Sequence, residues 1–208
     1  VTSRAKEIAA LLAGRDPVVA SLVARFGPPP SRRPTPAPLR FAALAEIIVY
    51  QQLAGKAAAA IHGRLVTALG GSVTPATVLK APFDLLTSAG LSRAKAASIC
   101  DLAEKVTSRE VRLDRIGRLS DAEVIEHLTQ VRGIGPWTAQ MFLLGPLGRL
   151  DVWPIGDLGV RAGFAAAWSL PKVPDPKELM VLGDPFIPFR SAVAWYCWRV
   201  LEIQWPTS

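Results

Sequence analysis

The chain has 208 residues, half of them hydrophobic, with 24 Lys+Arg against 17 Asp+Glu and a formal net charge of +7. That length and apolar content suffice for one large domain or two lobes around a core, and the basic balance fits a polyanionic partner without requiring one. Its two cysteines, Cys100 and Cys197, are far apart, which excludes a four-cysteine iron–sulfur cluster or zinc site, offers no disulfide framework and makes a reducing compartment the expectation.

In chain order the pattern is helical, with almost no strand signal. Residues 1–15 carry charge throughout and lack a secretory apolar core. Residues 4–13, closed by Gly14, and 17–26 form short Ala- and Leu-rich helices. The proline run 28–38 cannot be helix and reads as an extended loop whose Arg32 and Arg33 are solvated surface. Helices are expected over 39–54 and 56–69, broken at Gly55; Glu46, Gln51, Gln52 and Lys56 interrupt this apolar stretch and make it a pair of core helices rather than a membrane span. Segments 82–89 and 92–107 follow. Ser120 and Glu123 make a capping box that launches a helix through Gln130. Helices over 136–144 and 157–168 come next, then a link bearing Pro171, Pro174 and Pro176, and a last helix from 188 to about 203. The class is all-α, with no repeat of solenoid period.

Two neighbouring motifs carry chemistry. In Leu128-Thr129-Gln130-Val131-Arg132-Gly133-Ile134-Gly135-Pro136-Trp137 a helix ends, glycines permit a tight turn, and Pro136 takes the favoured first position of a new helix. Such a turn presents free N–H groups at a helix N-terminus and suits a phosphate, although Gly-Ile-Gly alone equally describes an ordinary turn between helices. The chain then reads Asp151-Val152-Trp153-Pro154-Ile155-Gly156-Asp157. By itself Asp157 would be a helix N-cap.

Hairpin and acidic segment together resemble the helix-hairpin-helix, Gly/Pro-rich, aspartate signature of the base-excision DNA glycosylase superfamily (HhH-GPD), and within it the DNA-3-methyladenine glycosylase II type. Residues 47–53, 90–96 (Gly90-Leu91-Ser92-Arg93-Ala94-Lys95-Ala96) and 188–191 (Pro188-Phe189-Arg190-Ser191) resemble further segments of the family, so the similarity covers roughly 38–203, in order. The resemblance implies two helical lobes flanking a DNA-binding cleft: a middle lobe with the hairpin at about 39–156, and a second lobe formed by 1–38 and 157–208. It also implies a version lacking most of an N-terminal β domain.

The implied activity is hydrolysis of the N-glycosidic bond of alkylated purines in duplex DNA, with Asp157 as the catalytic carboxylate. Breaking that bond builds positive charge on the sugar, which a nearby carboxylate stabilises; orienting or deprotonating the attacking water is the alternative role. Asp151 reads as a cap or supporting carboxylate. Where backbone-cleaving members carry a Schiff-base lysine this chain has Trp137, which implies a monofunctional, water-based reaction. The extruded base needs an aromatic pocket, for which Trp137 and Trp198 are the first candidates and Trp153, Tyr50 and Phe41 the second; an indole face attracts a cationic base by about 0.5–2 kcal/mol. Where the family's bacterial pattern has tyrosines, this chain has Met141 and Leu158. Gln52 or Leu53 is the candidate wedge that fills the vacated stack. Arg132, Gly133, Gly135, Lys56 and Lys95 are candidate phosphate contacts. His62 and His127 lack ligand-like spacing, so no metal held by side chains is expected; a monovalent cation on hairpin carbonyls is implied by the resemblance alone. The expected partner is duplex DNA with alkylated bases, bound by a monomer away from membranes, in the nucleoid of a bacterium or the nucleus of a eukaryote. A noncatalytic DNA-binding or damage-sensing protein would share the basic charge and the glycines, and an unrelated helical interaction protein would share the turn.

Overall fold

The computed structural model describes residues 2–30, 33–53 and 55–202. Arg32 of the proline run, Ala54 at the expected end of one helix and residue 203 at the end of the last lie outside the described residues. Helices form α1 Ser3–Arg15, α2 Pro17–Phe26, α3 Arg40–Tyr50, α4 Gly55–Ala68, α5 Pro75–Lys80, α6 Phe83–Ser88, α7 Arg93–Thr107, α8 Asp121–Thr129, α9 Pro136–Leu144, α10 Leu158–Ala167, α11 Pro176–Leu182 and α12 Arg190–Val200. No strand occurs among the described residues, and none of their helices is long and apolar enough to cross a membrane. The chain divides into two compact units: a continuous one, Pro34–Leu147, and a discontinuous one made of Val1–Arg33 and Gly148–Thr207. The divisions fall at 33/34 and 147/148, so the segment from Asp151 to Asp157 goes with the discontinuous unit rather than with the hairpin.

In the continuous unit α3 is the central rod. Its Leu44, Ala45, Glu46, Ile47, Ile48 and Val49 are all buried, consecutive positions that cover more than one helix face, and it packs against α4, α7 and α9. A helix buried on more than one face needs neighbours on more than one side. It stops at Tyr50, four residues before the expected end. Gln51 leaves the helix at φ −50°, ψ 126°, and Gln52 is left-handed at φ 54°. Lys95 Nζ donates to the carbonyls of Val49 and Gln51, both at 2.7 Å. The orphan carbonyls of a helix end are thus satisfied by a cation on another helix. Two short helices, α5 and α11, stand in segments where helical periodicity predicts none. Both carry a signal that was there: Thr74 with Thr77 and Asp175 with Glu178 are capping boxes, each followed by proline at the first helical position.

The discontinuous unit is organised by the crossing of α10 and α12. A Cβ on Gly163 of α10 would meet the Cys197 carbonyl of α12, with the Cys197 carbon at 2.5 Å and Cα at 2.8 Å, so only glycine permits this approach. Phe164 stacks on Trp168 with centroids 4.0 Å apart, and Trp153 and Phe186 meet Phe164 edge-on. The N-terminal helices are sewn into this core: Trp168 Nε1 donates to Asp16 at 3.1 Å, and the Tyr196 hydroxyl donates to the Gly27 carbonyl at 2.9 Å. Burial pushes the Tyr196 phenol up to about 12.

Candidate functional site

The turn between α8 and α9 is shaped by residues distant in sequence. Gly133 adopts φ +73°, and a Cβ there would strike the Ser98 hydroxyl of α7, so glycine is required twice over. Gly135 differs: it is extended at φ −97°, ψ 178°, with open space where a Cβ would stand. Any residue could adopt this backbone, and what Gly135 offers is an exposed main chain without a side chain over it. It is also the N-cap of α9 and supplies no side-chain cap, which leaves the helix N-terminus, with its positive dipole end, suited to an anion. The Arg132 N–H donates to Asp101 Oδ2 of α7 at 2.7 Å, while the Arg132 residue itself is exposed. Burial pushes the Asp101 carboxyl up, but the Arg132 N–H and the Lys105 ammonium 3.0 Å away outweigh it and hold its pKa below the ordinary range.

The same unit presents the 51–53 turn. Gln52 and Leu53 are exposed, Leu53 by 40%, and help to line a groove of about 230 Å³ together with Val49, Gln51, Ile61, Leu91 and Lys95 among others. Lys95 is expected from the sequence to contact phosphate. Its ammonium instead faces inward on the Val49 and Gln51 carbonyls, and burial lowers its pKa. Lys56 is exposed near the start of α4. Tyr50 is half-buried, its phenol pushed up by burial and by the Glu46 charge, while Phe41 is core. Trp137 is half-buried in the first turn of α9, and Met141, one turn further on, is fully buried.

In the discontinuous unit Asp157 is the N-cap of α10, and its Oδ1 accepts from the Val160 N–H at 2.7 Å. The same oxygen accepts the Trp198 indole N–H at 3.0 Å. The cap was legible; the indole partner follows from the Gly163 crossing. Asp157 is partly exposed and Leu158 beside it is 66% exposed, so the carboxylate stands at an open helix end. Trp198 itself is only 5% exposed, so its best-defined role is that hydrogen bond rather than an open stacking face. Trp153 is corrected from pocket to core: it is 7% exposed, donates Nε1 to the Leu179 carbonyl at 2.8 Å and fills the space Gly183 leaves. Asp151 pairs with Arg190 through two 2.8 Å bonds and also accepts the Arg190 N–H, capping α12. Ser191 binds the Arg149 carbonyl and the Val152 N–H, so the 188–191 turn clamps the segment leading to Asp157.

Among the described residues no three His, Cys, Asp or Glu side chains converge on a metal-sized site.

Comparison with known proteins agrees with this geometry. Residues 45–186 match the model of the HhH-GPD superfamily base excision DNA repair protein. The chain is 36% identical to DNA-3-methyladenine glycosylase 1 of Schizosaccharomyces pombe over 77% of its own length and 72% of that protein. The solved structure of a 3-methyladenine DNA glycosylase of that yeast, in complex with abasic DNA, superposes with a TM-score of 0.86 at 32% identity, covering 97% of this chain and all of the other. A DNA-3-methyladenine glycosidase from Bacillus halodurans gives 0.75 at 30% identity, covering 95% and 88%. The chain belongs to the HhH-GPD superfamily of base-excision DNA repair proteins.

Proposed function

We infer that this protein is a monofunctional DNA-3-methyladenine glycosylase, hydrolysing the bond between an alkylated purine and its deoxyribose in duplex DNA. The observation that carries the reading is Asp157: a carboxylate at an open helix end, aimed by the Val160 N–H and the Trp198 indole on one oxygen. Alkylation places positive charge on the purine. When the C1′–N bond breaks, its electron pair moves to the base and neutralises that charge, so the leaving group needs little acid assistance. The positive charge then lies on the sugar, where a fixed carboxylate stabilises it. Water adds its oxygen to C1′ and loses a proton, and Asp157 is the acceptor the site offers. Val160 and Trp198 hold the carboxylate before substrate arrives, so little reorganisation remains for the transition state. The α8–α9 turn grips the DNA backbone through N–H groups and Arg132, contacts that position without reading sequence, and Gln52 or Leu53 enters the stack when the base leaves. Trp137 supplies an electron-rich face for a cationic base and no amine for an imine, which limits the product to an intact abasic site.

The test is release of free base from methylated duplex. Asp157→Asn keeps the cap bond from Val160 but not the charge, so excision should fall by about a thousandfold or more with folding and DNA binding retained. Borohydride added to wild-type reactions should trap no covalent complex. Near-normal excision by Asp157→Asn refutes the assignment of the carboxylate.

A further inference from the structure

One side chain joins the two DNA-facing features of the continuous unit. Gln51 Nε2 donates to the Gly133 carbonyl of the hairpin turn at 3.0 Å and to the Thr138 hydroxyl in the first turns of α9 at 2.8 Å. A carbonyl only accepts, so the amide must present its nitrogen there, and its orientation is fixed by chemistry. The backbone of the same residue is held as well: the Gln51 carbonyl accepts from Lys95 Nζ at 2.7 Å. Immediately after this doubly held residue come left-handed Gln52 and exposed Leu53. Thr138 is 3% exposed, so its hydroxyl is not shared with bulk water.

We propose that Gln51 is a positioning residue that locks the 51–53 turn onto the hairpin, so that gripping the DNA backbone and probing the stack occur in one fixed register. The proposal rests on the glycosylase reading and assigns Gln51 no contact with substrate. Without the amide bridge, phosphates still bind at the hairpin, but Gln52 and Leu53 are no longer held at a set distance from them. The loss therefore falls on base extrusion and not on bond cleavage. Gln51→Glu keeps the shape of the side chain yet sets a carboxylate oxygen against the Gly133 carbonyl, so it should do at least as much harm as Gln51→Ala.

The experiment uses single-turnover excision on two duplexes holding one N7-methylated guanine, either paired with cytosine or facing an abasic position, where extrusion costs less. Gln51→Ala should lose about tenfold on the paired duplex, the worth of one net hydrogen bond, and less than about threefold on the unpaired one. In a Thr138→Val background the same change should cost less on the paired duplex, because the bridge is already half broken. Affinity for undamaged duplex should stay within about twofold, since phosphate contacts dominate it. Equal losses on both duplexes, or none on the paired one, overturn the proposal. Fluorescence of 2-aminopurine at the target position follows extrusion without any bond breaking. If wild type extrudes that base and Gln51→Ala does not, the proposal stands even where neither releases base, and the failure then belongs to the glycosylase reading.

Discussion

Gly163→Ala tests whether the α10–α12 crossing sets the catalytic geometry. The added methyl would lie 2.5 Å from the Cys197 carbonyl carbon and 2.8 Å from its Cα, both backbone atoms of α12 that no rotamer change can move away. Carbon atoms rest at about 3.5–4.0 Å, so α12 must retreat by about 1 Å. The overpacking costs about 2–3 kcal/mol, and the better helix propensity of alanine returns about 1, for a net loss of about 1–2 kcal/mol. Trp198 follows Cys197 directly, so the same retreat stretches its 3.0 Å bond to Asp157 Oδ1 towards about 4 Å, beyond hydrogen-bond range. A charge-assisted bond of this kind is worth about 1.5–3 kcal/mol, and losing the part that orients the carboxylate should lower the single-turnover rate by about ten- to a hundredfold. Urea denaturation gives the stability, and base release from methylated duplex gives the rate. Trp198→Phe removes the N–H with a smaller packing change and should show a similar rate loss. If Gly163→Ala is destabilised yet excises at the wild-type rate, the link from helix crossing to carboxylate is refuted; if its stability is also unchanged, the reading of the crossing is refuted as well.

The two hairpin glycines should separate in their effects. Gly133→Ala forces a side chain into positive φ and onto Ser98 and should cost about 1–3 kcal/mol, seen as a lower Tm. Gly135→Val has extended backbone and open space, so Tm should hold within about 0.5 kcal/mol equivalent while affinity for damaged and undamaged duplex falls together; a large loss of Tm would show a packing role that the structure does not contain. Asp101 should make the hairpin acid-sensitive. Its folded pKa lies below its unfolded value of about 3.9, so its contribution is complete above that value and disappears as pH falls through the folded one. Asp101→Asn should therefore cost about 1 kcal/mol at pH 7 and progressively less below about pH 4; a difference that stays constant with pH would show that the charge is not what matters.

The sequence by itself determined the helical class and most helix boundaries, because those are written in local chemistry, whereas local chemistry makes Asp157 only a helix cap and its candidacy as the carboxylate came from the resemblance of the longer segment. Periodicity sets the helices, Ser120 with Glu123 and Asp157 announce starts, and Pro136 after the glycines announces the hairpin, all within a few residues of chain. The short helices α5 and α11 are locally signalled as well, each by a capping box with proline at the first helical position. Other features depend on partners far along the chain, and no local pattern encodes them. The end of α3 at Tyr50 is decided by Lys95, 44 residues beyond Gln51. The same contact turns a supposed phosphate ligand inward, since a lysine at a helix start looks identical whether it meets water or a carbonyl. The indole N–H on Asp157 comes from 41 residues away, and the amide bridge from Gln51 to Thr138 spans 87. Trp153 and Trp198 were alike as aromatic letters. Burial and the direction of each N–H, which only packing fixes, made one a core residue on the Leu179 carbonyl and the other the partner of the carboxylate.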